Sequence, residues 1–373
     1  MQPYDYILLQ LSLINGIGPR FIHNVCAKIG LDNLASLYDM SVHDVSRTLN
    51  ISYTDAHTLV AGLNSKKKID EELNLLQKHA ISWISTFDAT YPALLKEIHL
   101  PPIGLYVQGA ELIQFNKYFA IVGARKAHEY AHAAISHFVP SLIQNDWTIV
   151  SGGACGADSF AHISVLEGKG STVAVLGSGL LCLYPSQNTQ LFSRIIEQGG
   201  ALVSPFPLMA KPVPGNFPAR NRIISGLSRG CLVVQAAKKS GALITAEHAL
   251  KEGREVFAVP GRIDDPLSAG CHYIIQQGAK LVHSVNDILE EIEENYRLKT
   301  NIQTNEENTA SASIALNYTC TMDEHIIALC KTPCSIDELG VAVKKNPQEL
   351  YEIVFNLHIQ GRLFQNMAGL WYS

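Results

Sequence analysis

The residues best suited to chemistry lie in one segment of the chain, residues 217–226. Arg220 and Arg222 flank Asn221 in this Pro- and Gly-bounded segment, directly before an apolar run. A guanidinium group offers fixed, paired N–H donors and keeps its charge, so arginine suits phosphate groups. Phe217 adds an aromatic face that can stack on a nucleobase of any identity. The segment therefore predicts an anion clamp, and a surface ion-pair patch is the alternative interpretation.

Six short apolar runs must position this segment. Each run is closed by a small residue, and helix-length segments separate the runs, a pattern that predicts a doubly wound α/β fold with a mostly parallel sheet. The runs are residues 118–122, 147–150, 172–176, 201–203, 231–234 and 255–259. In such sheets the ligand lies at the carboxyl ends of the strands.

Small and basic residues follow three of these runs. Successive glycines or a helix start can turn backbone N–H groups toward an anion, and Arg125 would point toward the crest of the sheet. The alternative for Arg125 is an ion pair with a local acid. The predicted ligand residues are Gly123 and Arg125 after the first run, Ser151, Gly152 and Gly153 after the second, and Ser240 and Gly241 after the fifth.

Two residues near the second turn have competing interpretations. Asp158 either caps a helix or binds a ligand, and His162 is more typical of hydrogen-bonded packing than of catalysis. The sequence contains no Ser-His-Asp order, no P-loop and no carboxylate pair at strand ends, so binding is favoured over bond breaking. Cys330 and Cys334 lie four apart with no second ligand pair, and we expect neither a metal nor a cofactor.

Composition narrows the class of protein. The 373 residues have 47% hydrophobic content and a net charge of −5. Residues 118–262 carry 13 Lys/Arg against 8 Asp/Glu, so positive charge is concentrated where the glycine turns lie, as a nucleotide or nucleic-acid site requires. No apolar run of 18 residues and no secretory signal is visible, and the eight cysteines are scattered, which predicts a cytoplasmic protein without a membrane span.

Composition shifts divide the chain into four predicted regions. Residues 1–65 are helical, 66–296 contain the sheet, 297–317 form a polar linker, and 318–373 form a small helical domain. Within the first region, residues 16–18 (Gly-Ile-Gly) suit a helix-hairpin-helix turn that grips DNA phosphates through backbone N–H groups. A turn that only packs the two helices together is the equal alternative.

Over residues 65–296 the order and spacing of several motifs resemble the DprA (Smf) family of DNA-processing proteins. The motifs are GAR, SGGACGADSFAH, AVLGSGL followed by YPSQN, FPARNRIISGLS, SGALITAEHAL, REVFAVPG and GCHYIIQQGAKLV. The resemblance implies an extended Rossmann-like domain, an N-terminal SAM-like domain and a C-terminal winged-helix domain. It also implies a non-catalytic protein that binds and protects incoming single-stranded DNA and loads RecA onto it during natural transformation.

The family resemblance further implies a homodimer. The region corresponding to the family's dimer contact contains His272, Ile275 and Leu281. Ile275 and Leu281 are six apart and suit a self-complementary patch, with plain core packing as the alternative. Residues 323–373 carry 4 Lys/Arg and 6 Asp/Glu, a balance that favours a protein-contact or oligomer-tuning role over duplex binding for the winged-helix domain.

Some positions depart from the family pattern. Gln235 stands where a glutamate is common, Pro205 replaces an acidic residue, and the expected basic residue before Phe217 is missing, with Lys211 further upstream. An alternative function is a nucleotide-processing hydrolase of the lysine-decarboxylase-like class, whose pattern PGGxGTxxE is matched only loosely by residues 240–247. Glu247 would have to be its catalytic carboxylate.

Overall fold

The computed structural model describes residues 3–292, together with 326, 330, 339, 343, 350, 353–354, 357, 362–365 and 371–372. The chain forms two compact units, residues 1–300 and 301–373. The predicted linker and most of the predicted winged-helix domain lie outside the described residues. In the second unit, Phe364–Gln365 pairs antiparallel with Trp371–Tyr372, beside a small buried apolar cluster.

Five α-helices and a 3-10 helix (Leu31–Tyr38) precede the sheet in the described part of the chain. Ser41 begins α3 with a capping box shared with Asp44, and Ser52 caps α4. The helices bury apolar side chains in a cluster that also contains Trp83 and Tyr106 of the sheet, so no break in the core follows residue 65. The helices are α1 (Pro3–Ser12), α2 (Pro19–Ile29), α3 (Val42–Leu49), α4 (Tyr53–Asn64) and α5 (Lys67–Lys78).

The first unit is built on a nine-stranded mixed sheet. Its strand order is β1-β2-β6-β5-β4-β3-β7-β8-β9. Strands β3 to β9 run parallel to one another, and β2 pairs antiparallel with both of its neighbours, β1 and β6. The strands are β1 (Ser82–Ser85), β2 (Gly104–Gly109), β3 (Lys117–Val122), β4 (Trp147–Ser151), β5 (Thr172–Val175), β6 (Ala201–Ser204), β7 (Gly230–Val233), β8 (Glu255–Ala258) and β9 (Lys280–Leu281). The predicted mostly parallel sheet is confirmed, and its six predicted strands are correct to within one residue at each end.

Helices cover both faces of this sheet. Alternate residues of β3 show the arrangement: Phe119 and Ile121 pack with α7 and α8, while Ala120 and Val122 pack with α10, α11 and α12. The helices are α6 (Ala93–Lys96), α7 (Glu129–Gln144), α8 (Ala157–Glu167), α9 (Thr189–Glu197), α10 (Asn216–Leu227), α11 (Gly241–Lys251) and α12 (Ala269–Gln276).

The strand order reverses at the centre of the sheet. From β3 the chain continues through β4, β5 and β6 on one side, and then returns to β7, β8 and β9 on the other. A crevice therefore opens between the carboxyl ends of β3 and β7, because the loops after these strands turn to opposite faces. This crevice is where the loops richest in Gly, Ser and Arg come together.

Candidate nucleic-acid interface

A cleft of about 790 Å³ opens at this crevice. Loop residues 123–126, the first turns of α10 and α11, and Tyr184 on the β5–α9 loop contribute to its walls. Seven of the predicted ligand residues line the cleft: Gly123, Arg125, Phe217, Arg220, Asn221, Ser240 and Gly241. The other four predicted residues, Ser151, Gly152, Gly153 and Arg222, do not line it.

Arg125 and Lys126 are the exposed cations of the cleft. The guanidinium carbon of Arg125 lies 5.3 Å from the centroid of the Phe217 ring, a cation–π distance. Within the part of the chain that the structure describes, no carboxylate forms an ion pair with either side chain. Both positive charges are thus available to an anion that enters the cleft.

Arg220 occupies the floor of the cleft and is only 4% exposed. Its Nη1 donates to the carbonyl oxygens of Gly152 and Val175, and its Nε donates to Asn221 Oδ1 at 3.2 Å. Burial lowers the pKa of Arg220 to about 10, and the negative charge of Asp158 opposes this shift. The side chain stays cationic at neutral pH, but it ties α10 to the ends of β4 and β5.

Asp158 lies beside this buried guanidinium. A Cβ added to Gly152 would lie 2.6 Å from Asp158 Oδ2 and 2.8 Å from the guanidinium carbon of Arg220, so these two groups lie close together over Gly152. Oδ2 accepts a hydrogen bond from the backbone N–H of Ala154 at 3.2 Å, and no side chain caps α8. Burial raises the pKa of Asp158, while Arg220 opposes the shift. Asp158 is therefore a countercharge to Arg220, and it does not cap α8, which was one of its two alternative interpretations.

The residues of the turn after β4 do not line the cleft but form hydrogen bonds to the segments around it. Ser151 Oγ donates to the carbonyl of Ile121 at 2.6 Å and so joins β4 to β3. The carbonyl of Gly152 accepts from Arg220, and the carbonyl of Gly153 accepts from Asn188 Nδ2 at 2.8 Å. All three residues of the turn are buried, and their groups hold loops together beneath the cleft.

Arg222 points away from the cleft. Two residues along an α-helix correspond to a rotation of about 200°, so Arg220 and Arg222 cannot face the same ligand. Arg222 Nη1 donates to the carbonyl oxygens of His99, at 3.3 Å, and Leu100. Arg222 therefore fastens the segment after α6 to α10, and the clamp predicted from two arginines on one segment is divided between two locations.

The hydrogen bonds of Gln235 explain why this chain has a glutamine where a glutamate is common in the family. This residue is buried after β7, where its Oε1 accepts from the backbone N–H of His128 at 3.2 Å. Its Nε2 donates to Asp265 Oδ2 at 3.3 Å. An amide serves both partners, whereas a glutamate here would place a second carboxylate against Asp265. The glutamine thus matches its surroundings in this chain.

The residues predicted for the dimer contact flank the sheet edge. His272 is half-buried and its Nε2 lies 3.0 Å from the carbonyl oxygen of Gly261. Ile275 is half-buried against the core. In contrast, Leu281 on the edge strand β9 is 47% exposed, and Tyr273 on α12 is 54% exposed. The exposed apolar side chains leave the dimer contact as a prediction at this edge.

His162 is a packing residue rather than a ligand of the cleft. Thr172 Oγ1 donates to the carbonyl of Ile149 at 2.8 Å, so it accepts the Nδ1 proton of His162 at 2.7 Å. The other nitrogen, Nε2, is buried without a hydrogen-bond partner. Burial lowers the pKa of His162 from 6.5 to about 3, with a smaller contribution from the charge of Arg220. The ring is neutral in the folded protein.

The neutral ring predicts a loss of stability in acid. Below its ordinary pKa of 6.5 the unfolded chain binds a proton that the folded chain refuses until about pH 3. The contribution of His162 is complete above pH 6.5, and it falls by about 1.4 kcal/mol for each pH unit below that value. We expect His162→Gln to flatten the decline of unfolding free energy between pH 6.5 and 4.5, measured by urea titration. His57→Gln, an exposed matched control on α4, should leave the slope unchanged, and an unaltered slope in His162→Gln would contradict this assignment.

Tyr184 is a cleft residue that the ligand prediction missed. It lies on the loop after β5, is 44% exposed, and its ring centroid is 5.8 Å from that of Phe217. In the sequence, Tyr184 follows the third predicted strand, but residues 180–183 separate it from the glycine turn at 177–179. Only the folded loop brings this ring to the cleft.

The cleft lies within a region that known proteins share. The family model described as DNA recombination-mediator protein A matches residues 82–293, which include the whole sheet and every cleft residue. The chain belongs to this family. Membership assigns the protein a role in DNA processing and recombination.

Members of this family resemble the chain in sequence and in structure. The DNA processing protein DprA of Bacillus subtilis is 40% identical over 61% of this chain and 76% of its own length. The X-ray structure of DprA from Streptococcus pneumoniae has a TM-score of 0.67 at 32% identity, covering 78% of this chain and 98% of that one. DNA processing protein A from Helicobacter pylori, in a structure concerned with its mode of binding single-stranded DNA, has a TM-score of 0.51 at 27% identity, covering 58% and 96%.

Proposed function

We propose that this recombination mediator binds single-stranded DNA in the cleft at the carboxyl ends of β3 and β7. The observation that carries the proposal is the pairing of two free cations, Arg125 and Lys126, with the aromatic rings of Phe217 and Tyr184. Phosphates need cations, and unpaired bases need aromatic or apolar faces. The related Helicobacter pylori protein, which binds single-stranded DNA, supports the same ligand here.

Helix geometry adds to the positive potential of the cleft. The N-terminus of α11 lies at the cleft wall, where Ser240 caps the helix by accepting from the backbone N–H of Ala242 at 3.3 Å. Asn221 Nδ2 donates to the carbonyl of Gly241 at 3.2 Å and joins α10 to this turn. Exposed Lys238 and Lys239 precede the turn. The helix dipole and these lysines would favour a phosphate close to Arg125.

The wider role follows from the family rather than from the cleft. We propose that the protein works in the cytoplasm, protects incoming strands and loads RecA onto them, and that it forms a homodimer through the edge carrying His272, Ile275 and Leu281. The SAM-like and winged-helix assignments of the two ends belong to the same proposal. None of the helices in the described part of the chain has the length and apolar character that a membrane crossing requires.

The hydrolase alternative requires a carboxylate positioned for chemistry. Glu247, its candidate, is exposed on α11 outside the cleft and forms an ion pair with Lys251 at 2.7 Å. Asp158 does line the cleft, but it is buried and committed to Ala154 and to the charge of Arg220. The arrangement favours ligand binding over hydrolysis. Release of free base from nucleoside monophosphates that disappears in Glu247→Ala would reverse this conclusion.

A salt series tests the proposed function directly. We expect a fluorescent single-stranded oligonucleotide to bind more tightly than its duplex, with little dependence on sequence. The logarithm of the binding constant should fall linearly with the logarithm of salt concentration, with a slope of about −0.7 for each phosphate neutralised. Anisotropy titrations at four salt concentrations measure both quantities. Equal affinity for single strand and duplex, or binding indifferent to salt, would contradict the proposal.

A further inference from the structure

Protein groups cover part of the Phe217 ring at the cleft wall. A Cβ added to Gly177 would lie 2.8 Å from Phe217 Cδ1, so the ring packs directly on the backbone of Gly177. The guanidinium carbons of Arg125 and Arg220 lie 5.3 and 5.9 Å from its centroid. Phe217 is half-buried among these groups. Its ring therefore supports Arg125, and it is less exposed than the ring of Tyr184.

Tyr184 offers the cleft more free aromatic surface than Phe217 does. Its side chain is exposed at the cleft wall, and its ring is inclined at 57° to that of Phe217. The two rings and Arg125 thus form a short series in which Phe217 contacts both of the others. A nucleotide whose phosphate meets Arg125 would place its base toward the exposed ring.

The loop that carries Tyr184 is held at several points. The backbone N–H groups of Gly179 and Leu181 donate to the carbonyls of Ala210 and Leu208 at 2.8 and 3.0 Å. At the other end of the loop, Asn188 Nδ2 donates to Gly153 O and to Ser159 Oγ, both at 2.8 Å. A ring on such a fixed loop loses little conformational entropy when a base stacks on it.

A buried carboxylate reinforces the same loop. Glu72 on α5 is 6% exposed, and its Oε1 accepts from the backbone N–H of Leu208 at 2.8 Å. Because the carbonyl of Leu208 in turn accepts from Leu181, the helical region preceding the sheet also contributes to the position of Tyr184.

We propose that Tyr184 is the base-stacking residue of the cleft and that Phe217 orients Arg125 toward the adjacent phosphate. The inference rests on the proposed binding of single-stranded DNA. It names the ligand unit as an unpaired nucleobase together with its neighbouring phosphate. In a duplex both faces of each base are covered by stacked neighbours, so a base must leave the stack to reach Tyr184. The preference for single strands follows from this requirement.

The assignment of Tyr184 is tested by combining substitutions in the protein with removal of the bases from the DNA. The probes are a fluorescent oligothymidylate and the same backbone made entirely of abasic sites, both titrated by anisotropy with the full chain. We expect Tyr184→Ala to weaken binding of the base-bearing strand about tenfold and to leave the abasic strand within about twofold. Tyr184→Phe keeps the aromatic face and should bind both strands as the wild type does. Tyr53→Ala, at an exposed tyrosine on α4, is the matched control and should change neither affinity.

Phe217→Leu provides the second arm of the test. Because Phe217 acts through Arg125 and a phosphate, its loss should weaken both strands by the same factor. Equal losses on both strands in Tyr184→Ala, or no loss on either, would overturn the assignment to Tyr184. A thermal unfolding scan accompanies each variant, and Tyr184→Leu replaces Tyr184→Ala if the alanine variant is unfolded. Absence of wild-type binding to the base-bearing strand would instead overturn the proposed function itself.

Discussion

Arg125→Ala is expected to weaken binding to single-stranded DNA by about 10- to 100-fold, the loss of one charge-assisted contact. Arg125 is exposed in the cleft, it has no carboxylate partner among the described residues, and Phe217 holds its guanidinium group. Removing one phosphate contact should also make the salt dependence shallower, by about 0.7 in the logarithmic slope. Anisotropy titrations across a salt series give both the affinity and the slope.

Arg262→Ala is the matched control for this prediction. Arg262 is an exposed arginine on the loop after β8, but it forms a bidentate ion pair with Asp264 and lies outside the cleft. Arg262→Ala should change the affinity for single-stranded DNA by less than about twofold and leave the salt slope unchanged, since it removes a cation that is already paired. An equal effect of the two substitutions would show that binding depends on overall charge and not on the cleft.

Arg220→Met is expected to destabilise the fold by about 3–5 kcal/mol, because it leaves a buried charge without its partner. Asp158 would remain in the floor of the cleft with no countercharge, and the carbonyls of Gly152 and Val175 would lose their donor. Urea titration at pH 7 measures the unfolding free energy. The prediction differs from that for Arg125→Ala, which should leave stability within about 0.5 kcal/mol.

Two further variants define the cause of this loss. Asp158→Asn added to Arg220→Met removes the unpaired charge and should recover part of the lost stability. Arg222→Ala, on the same helix but directed at the carbonyls of His99 and Leu100, should cost only about 1 kcal/mol. If Arg220→Met were as stable as the wild type while losing DNA affinity, Arg220 would be a ligand residue rather than a buried structural cation.

The local sequence pattern was sufficient to predict the positions of the central strands. Runs such as residues 118–122 and 231–234 are apolar throughout because parallel strands are covered on both faces, and a small residue follows each run within two positions, where the loop turns away. The antiparallel strands β1 and β2 and the edge strand β9 lacked this pattern. β9 has two residues, and half of β1 faces away from the core. Such strands are defined by their neighbours in the sheet.

The candidate site was predictable only in part, for a geometric reason. Strand ends brought Gly123, Arg125 and the Ser240–Gly241 turn to the cleft, because parallel strands align their carboxyl ends at one edge. Residue type alone suggested that Arg220 and Arg222 act together, but the rotation per residue of α10 separates them. Tyr184 reaches the cleft through a loop whose path depends on hydrogen bonds to residues 208 and 210.

The family, the mostly parallel sheet and the edge at which the ligand residues collect can all be predicted from the amino-acid sequence, since they depend on local apolar pattern and on motif order. Which side chains at that edge are free, and which are already bonded to other protein groups, depends on the packing of the folded chain. Arg125 is exposed whereas Arg220 is buried against two carbonyls, although both are arginines in glycine- or proline-bounded segments. Burial and hydrogen-bond partners arise from contacts between distant segments, and no local pattern encodes them.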